Sequence, residues 1–498
     1  MPSRAARSSW GTPRAWALAL AAVSLLTGLF LFGELGRLPI QDWRPADTQA
    51  IARNFTAPGS NLFYPRIDWG GDGSGIVESE LQLYPWLVSL ALRVTGDVEW
   101  PGRLLSLAFT LGAVGVVFAG LRREHRAEAA ALGALTLLVS RGVLQVACNV
   151  QPEALCLLLF AGAWFAFLEF ERTESRRALA VYAALGALAM LVKPTAAQLG
   201  VASFALVVLR SRRLLRRWEL WLAWAVMVGL LGAHLLHGQR LYAEHGNTFG
   251  VLSGGDSKTP GLDHLVDPSI VFSAVRRAVT YGTGKLGSLA VLLALWVGAG
   301  RKPLLALLAA NALWTLLALR YTSSAGGNHY HLLAGVTAGH AVAGLVTWLA
   351  ERRPRIPAVA AGLLLLAELG VELRSLHRTK QNPFNASAIA AAEALARRAR
   401  PGELVVVRSV EVGYDAPWRT ANNFQDPRVV YGARVRGWAV ALDDARPESV
   451  AIPARRGARF YVEVLPRSPV PALDAWLDEH ATLLERTSFG GRVFALTR

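Results

Sequence analysis

The first arrangement in this sequence with chemical potential is an aspartate flanked by arginines. In WRPADTQAIARNF (43–55), Asp47 lies between Arg44 and Arg53, a few residues beyond a long apolar run. A carboxylate held at a helix start beside a cavity is placed to accept a proton or orient a hydroxyl. Neighbouring guanidinium groups suit a phosphate. The structural alternative is an N-cap: over DTQAIARNF, Asp47 would accept a first-turn N–H, and Ile51 and Phe55 would form an apolar stripe on the membrane surface. Glu78 and Glu80 precede an apolar run that starts at Leu81. At i,i+2 they share a face only if extended, either solvated at the interface or holding a metal or a polar headgroup. Gln151 and Glu153 open another apolar segment, with Pro152 suited to its first helical position. Glu153 is then a helix cap or a functional charge near membrane depth. Lys193, one of five lysines, stands between two apolar runs; it either snorkels to the interface or neutralises a phosphate. Asn328, His329, Tyr330 and His331 start a further apolar segment. The two histidines diverge on a helix, so hydrogen bonding to a polar ligand suits them better than a zinc site. His245, Asp256, Asp263 and His264 in the segment 238–283 have spacings that assign them no role.

These side chains need a membrane to position them. The chain has 498 residues, of which 53% are hydrophobic, and its mean hydropathy is +0.33. That composition points to an integral membrane protein. The net charge of +16 does not indicate nucleic acid, because the basic residues fall in short clusters between apolar runs. The two cysteines, Cys148 and Cys156, read as buried thiols. The basic N-terminus leads into an apolar stretch without a clean cleavage site, which reads as a retained signal anchor.

Eleven candidate spans can be counted, at 15–33, 102–120, 128–146, 152–170, 178–192, 194–209, 218–237, 284–300, 303–319, 331–350 and 356–373. Several fall short of the roughly 20 residues a straight crossing needs, so they must tilt, kink or pack inside a bundle. Alternate loops carry the arginines: Arg4, Arg7 and Arg14; Arg122, Arg123 and Arg126; Arg172, Arg176 and Arg177; Arg210 to Arg217; Arg301 and Lys302; Arg352, Arg353 and Arg355. The other side offers Lys193 and Arg320 in its short loops. This asymmetry puts the N-terminus in the cytoplasm, with loops 34–101 and 238–283 and everything after about 374 outside. The unusual polar residues therefore gather on the outer face.

The expected organisation is a membrane module over 1–373 and a small extracytoplasmic α/β domain over 374–498. In the tail, 386–400 reads as an amphipathic helix. PGELVVVRS, RVVYGARV, GARFYVEVL and GRVFALT read as strands, and PALDAWLDEHATLL as a helix between two of them. GGDGSG (70–75) in the first outer loop reads as loop, since its four glycines permit backbone angles other residues resist.

The order of these motifs resembles the polyprenyl-phosphate-dependent glycosyltransferases of the GT-C class, nearest the aminoarabinose transferase and protein O-mannosyltransferase superfamily. ADTQAIARNF is similar to that branch's D-E/T-x-x-x-A motif and ESELQLYPWLVSLALRVTG, with Tyr84, to its E-x-P-P-L-Y-Y-W-L run; QPEAL, LVKP and HYHLLAG also look familiar. The resemblance covers roughly 15–350 and continues loosely into the tail. It implies a polytopic α-helical fold with structured outer loops, Asp47 as the catalytic carboxylate, and Glu80 or Glu78 as the acidic residue opening the second motif. Glu153 matches an acidic position at a helix start. Where the branch often has Lys-Pro-Pro this chain has Leu81 and Gln82, so the positive charge for a phosphate falls to Arg44, Arg53, Arg103 or Lys193.

The implied reaction moves a sugar from a polyprenyl-phosphate donor, anchored in membrane lipid, to a lipid, glycan or protein acceptor, with inversion. Asp47 would accept the acceptor's proton or orient it, and cations, with or without a divalent metal, would stabilise the departing phosphate. An ordinary carboxylate is a weak base, so partial desolvation would have to raise its pKa. A phosphate acceptor would need no base. A transporter or flippase of lipid-linked sugars is the alternative, but polar residues on both faces and inverted repeats do not stand out. Arginine-rich usage suggests a bacterial inner membrane.

Overall fold

A computed structural model describes residues 12–34, 39–40, 42–255, 261–353, 356–379, 383–466 and 470–497. The expectations placed on Arg4, Arg7, Asp256 and Arg355 lie outside these described residues. The chain opens with α1 (Pro13–Glu34), α2 (Trp43–Asn54), α3 (Leu83–Thr95) and α4 (Trp100–Leu121). Next, α5 (Ala127–Val139) and α6 (Arg141–Ala147) meet at a 73° bend. Then come α7 (Glu153–Thr173), α8 (Arg176–Val192), α9 (Gln198–Arg210), entered through a 3-10 turn at Pro194–Ala197, and α10 (Trp218–His245). α11 (Leu262–Leu265) and α12 (Pro268–Arg277) lead through a π-helical turn at Ala278–Thr283 into α13 (Lys285–Val297), bent by 100°. α14 (Arg301–Leu317), α15 (Leu319–Thr322), a 3-10 turn at Ala325–His331, α16 (Ala334–Ala350) and α17 (Ile356–Thr379) complete the bundle.

Ten of the eleven expected spans fall on one helix each, and 128–146 is divided between α5 and α6 at their 73° bend. Among the described residues, four helices (α1, α4, α7 and α10) are long and apolar enough to cross a membrane alone, and the three bent pairs raise the number to as many as seven. Helix length by itself therefore does not establish eleven crossings. The bundle's interior is built on α7, whose Phe160, Trp164, Phe167 and Phe170 are buried against α4 and α8. Its outside is apolar as well: Leu18, Leu25 and Leu29 on α1, Trp221 and Leu222 on α10, and Leu292 and Trp296 on α13 are exposed, as lipid contact requires.

The tail forms α18 (Pro383–Ala396), β1 (Leu404–Arg408), a β2–β3 ribbon (Tyr414–Asp415, Thr420–Ala421), α19 (Arg428–Ala433), β4 (Arg436–Val440) and α20 (Pro447–Arg455). It ends with β5 (Ala458–Glu463), α21 (Pro471–His480), β6 (Ala481–Arg486) and β7 (Arg492–Leu496). The sheet order is β4-β1-β5-β7-β6, with β1 parallel to both neighbours and the last three strands antiparallel. The Val405–Val407 run is buried on both faces, as a central parallel strand must be. Val405 and Val407 face one core with α18 and α19, and Val406 faces another with α20 and α21. Two tail assignments change. RVVYGARV is mainly helix, because Asp426 Oδ1 accepts the Arg428 N–H at 3.0 Å and starts α19 after Pro427. In PALDAWLDEHATLL the helix stops at His480 and ATLL pairs with β7 as β6.

The inner core of the tail includes Ile51, Phe55, Ile67, Trp69 and Val77 of the first outer loop. GGDGSG forms the expected turn, and that turn docks on the free edge of β4. Gly71 N donates to Gly437 O at 2.7 Å, and Gly437 N to Asp68 O at 3.0 Å. Gly71 has φ +68° and lies flat against the Trp438 indole, where any side chain would collide.

Candidate active site

α2 starts one residue after Asp42, whose backbone is extended, and Pro45 in its first turn has a fixed φ suited to a helix start. Asp42, not Asp47, is thus the N-cap residue. Asp47 lies inside the helix, 2% exposed, and its Oδ1 accepts the Trp69 indole N–H at 2.9 Å. Burial pushes its carboxyl up to about 8, against the lowering effects of the Trp69 hydrogen bond and the Arg44 charge. Ile51 and Phe55 do not lie on the membrane surface; both are buried beneath the tail.

Asp47 faces a cavity of about 980 Å³ that also receives Arg44, Glu80, Arg103, Gln151, Lys193, His329 and Tyr330. Pro194 explains Lys193. The residue before a proline is driven out of the α region, and Lys193 is extended (φ −154°, ψ 114°), ending α8 and turning its side chain inward. Lys193 is buried instead of snorkelling. Its Nζ is 2.9 Å from Glu153 Oε1 and 3.2 Å from Glu80 Oε1. Glu80 reaches it because Leu81 N donates to Leu191 O at 2.9 Å, tying the extended 76–82 segment to the end of α8. Arg44 pairs with the same Glu80 oxygen, and His329 Nε2 lies 3.8 Å from Glu153 Oε1. Burial alone would raise Glu80, but Arg44 and then Lys193 outweigh it and hold the carboxyl well below the usual range. A continuous chain of ion pairs results, Arg44, Glu80, Lys193 and Glu153, with the His329 ring at its end. Arg44 Nε is buried with no hydrogen-bond partner among the described residues, so it retains a donor for a ligand oxygen.

Other expected members lie elsewhere. Arg53 is nine residues from Arg44, about two and a half helical turns, so it emerges on the opposite face of α2. There it pairs with Asp68 at 2.5 Å and Asp97 at 3.5 Å, beside a separate small pocket. Tyr84 is fully buried, its hydroxyl 2.7 Å from both Gly102 O and Ser106 Oγ, and it joins α3 to α4. His331 Nε2 is 2.9 Å from Thr322 O and pins the turn after α15. Glu78 and Glu80 do not converge on a metal. Glu78 is taken up by Thr248 Oγ1 and, at 3.0 Å, by Leu252 N. No cluster of three or more His, Cys, Asp or Glu able to hold a metal occurs among the described residues. Pro152 is the residue before α7, which begins at Glu153. Cys148 and Cys156 are free and buried, as expected.

The cavity also has members the sequence did not single out. Arg141 sits at the α5–α6 bend. Its Nη2 donates to Thr379 Oγ1 at 3.3 Å, and among the described residues no carboxylate pairs with it. Trp314 and Tyr321 flank Tyr330, with ring centroids 6.4 and 5.5 Å away. The segment after β1 supplies Asp415, Trp418, Asn422 and Asn423. A helical bend and a loop 370 residues downstream carry no local signal for these positions; the one available hint was the isolated arginine that opens α6.

Residues 82–237 match the family model described as dolichyl-phosphate-mannose-protein mannosyltransferase. The whole chain is similar to solved structures of ArnT from Cupriavidus metallidurans. The apo form is 16% identical with a TM-score of 0.64, covering 97% of this chain and 98% of that one. The form bound to undecaprenyl phosphate is 15% identical with a TM-score of 0.62 and the same coverage. The Archaeoglobus fulgidus oligosaccharyltransferase, in complex with zinc and sulfate, is 11% identical with a TM-score of 0.53, covering 96% of this chain and 73% of that one. No curated protein sequence matches. The resemblance to GT-C-class membrane glycosyltransferases read from the sequence is therefore borne out, by the family model over 82–237 and by the fold over almost the whole chain.

Proposed function

We propose that this membrane glycosyltransferase transfers a sugar from a polyprenyl-phosphate donor to an acceptor hydroxyl on the extracytoplasmic face of a bacterial inner membrane, with inversion. The observation that carries this reading is one cavity holding a buried carboxylate, Asp47, beside Arg44, Lys193, Arg103 and Arg141. The similarity to an ArnT bound to undecaprenyl phosphate supports the same kind of donor here. The family model over 82–237 spans Glu153 and Lys193 and supports a lipid-phosphate sugar as the class.

In this reading Asp47 accepts the proton of the attacking hydroxyl. An ordinary carboxylate would be too acidic, and burial supplies the required rise to about 8. The transition state resembles an oxocarbenium ion, and the charge that leaves with the phosphate is met by Arg44 and Arg141, which retain donors for it. Lys193, balanced between Glu80 and Glu153, orients that chain and His329. Glu78 and Glu80 do not fit a shared metal, and no step is assigned to one. The positive-inside pattern supports a cytoplasmic N-terminus, a membrane module over 1–373 and an extracytoplasmic tail over 374–498. A flippase reading has less support, because it accounts for neither the buried base nor the family match.

The test is sugar release from undecaprenyl-phosphate-linked sugar by purified protein and by Asp47→Asn. Loss of turnover with undecaprenyl phosphate binding retained is expected. Wild-type turnover in Asp47→Asn would refute the role given to Asp47.

A further inference from the structure

The cavity has a second wall with different chemistry. It is formed by the segment between β1 and α19 and by the first turn of α18, and it presents Trp418, Asn422, Asn423 and Asn385. The segment is braced. The β2–β3 ribbon pairs Tyr414 with Ala421, Gly413 N donates to Asp443 Oδ1 at 2.7 Å, and Thr420 Oγ1 to Gly255 O at 2.8 Å. The Trp418 ring rests on His264, centroids 4.2 Å apart. A wall held this way is formed before any ligand arrives.

The arginines of this wall are already committed to carboxylates. Arg320 donates to Asp415 Oδ2 at 3.2 Å through Nε and 3.0 Å through Nη2. Arg428 is forked onto Asp426, at 2.6 Å through Nη2, and its Nη1 donates to Asn385 Oδ1 at 2.8 Å. Asn385 Nδ2 in turn donates to Asp42 Oδ1 at 2.7 Å. Nε and Nη2 of both guanidinium groups donate to carboxylates inside the wall, whereas Arg44 Nε has no partner among the described residues, so this wall has fewer N–H groups left for a phosphate. What the wall does offer is the half-buried Trp418 indole face, which packs on sugar C–H surfaces, and the Asn423 amide; Asn422 is engaged within the wall, its Oδ1 accepting from Arg320 Nη2 at 3.1 Å and its Nδ2 donating to Val412 O at 3.0 Å. Asn423 lines the cavity, and its Oδ1 is buried with no hydrogen-bond partner among the described residues, an acceptor left unsatisfied beside the cavity.

We propose that this wall is the acceptor subsite and that it binds a neutral glycan, not a phosphate-bearing headgroup. The inference rests on the donor reading above and adds the class of acceptor. A glycan hydroxyl oxygen forms the new bond to the anomeric carbon as that carbon's bond to the phosphate oxygen breaks. The bonding pair leaves with polyprenyl phosphate, and the hydroxyl proton passes to Asp47. A neutral hydroxyl needs such a base, whereas a phosphate acceptor does not.

The experiment uses the full chain in lipid nanodiscs, applied to an array of immobilised neutral and phosphorylated oligosaccharides, with undecaprenyl phosphate binding measured separately. Retention on neutral glycans is expected, weakened about tenfold in Trp418→Ala and in Asn423→Leu. Wild-type undecaprenyl phosphate binding by both variants shows that they fold. Retention confined to phosphorylated glycans, absence of retention on any neutral glycan, or retention unaffected in both variants would overturn the inference. Failure of the wild type to bind undecaprenyl phosphate, with neutral glycans still retained, would count against the donor reading alone.

Discussion

The hydrogen bond from Trp69 to Asp47 makes a quantitative prediction about pH. Trp69→Phe keeps an aromatic ring in place, T-shaped to Phe249 at 5.8 Å, and removes the indole N–H that reaches Asp47 Oδ1 at 2.9 Å. A hydrogen bond to a charged acceptor contributes roughly 1.5–3 kcal/mol, equivalent to about 1–2 pH units. That bond favours the ionised carboxylate, so its loss moves the group upward from about 8. A base titrating at about 8 is ionised in roughly a quarter of molecules at pH 7.5, and one at about 9–10 in roughly 3–0.3%. Turnover at pH 7.5 should therefore fall roughly 8- to 80-fold and recover at higher pH. The assay is kcat/KM for sugar transfer between pH 6 and 10, wild type against variant. A uniform loss with an unmoved midpoint would refute the argument, because Trp69 would then act only through packing.

The same buried carboxyl predicts a stability profile. Its folded-state value of about 8 lies above the unfolded 3.8, so its contribution is fully present below about 4 and is lost as pH rises through 8. Thermal melts of the wild type should fall in temperature over that window, and those of Asp47→Asn should be flatter. Lys193→Met leaves two buried glutamates undercompensated and should cost about 3–5 kcal/mol. Adding Glu153→Gln should restore part of it, read by the same melts; no recovery would show that the pair is not coupled. Arg53→Ala should lower stability by about 1–2 kcal/mol and leave the donor KM unchanged, and a raised donor KM would return Arg53 to the site. Gly71→Val would drive a side chain into the Trp438 indole and lift the 70–75 turn off the β4 edge. It should open the tail to limited proteolysis, and a wild-type digestion pattern would contradict the docking of 70–75 on that edge.

Part of the candidate site was legible beforehand because it depends on local signals. Asp47, Glu80, Glu153, Lys193 and His329 are charged or polar residues at the ends of apolar runs, where their cost makes them conspicuous. Grouping them needed only the alternation of arginine-rich loops. The pairings were not legible. Glu80 meets Lys193 through one backbone hydrogen bond across 110 residues of sequence, Leu81 N to Leu191 O. Nor does composition distinguish Glu78 from Glu80. In an extended segment the partner is decided by what packs on each side, here Thr248 and Leu252 for one and Arg44 and Lys193 for the other.

The sequence by itself determined the solvent this chain lives in and the places of its long apolar helices. Apolar runs and breaker residues act over tens of residues and need no partner. Tertiary structure decided which of the unusual charges share a cavity. Arg44 faces it and Arg53 does not, because α2 begins at Trp43 and its turns carry them to opposite sides. The tail closes the cavity because the apolar faces of α18, α19 and β1 are buried on Ile51, Phe55 and Trp69. Burial between distant segments also raises the Asp47 carboxyl to about 8, since a carboxylate's pKa follows the water it loses, and the number of waters lost is a property of the fold.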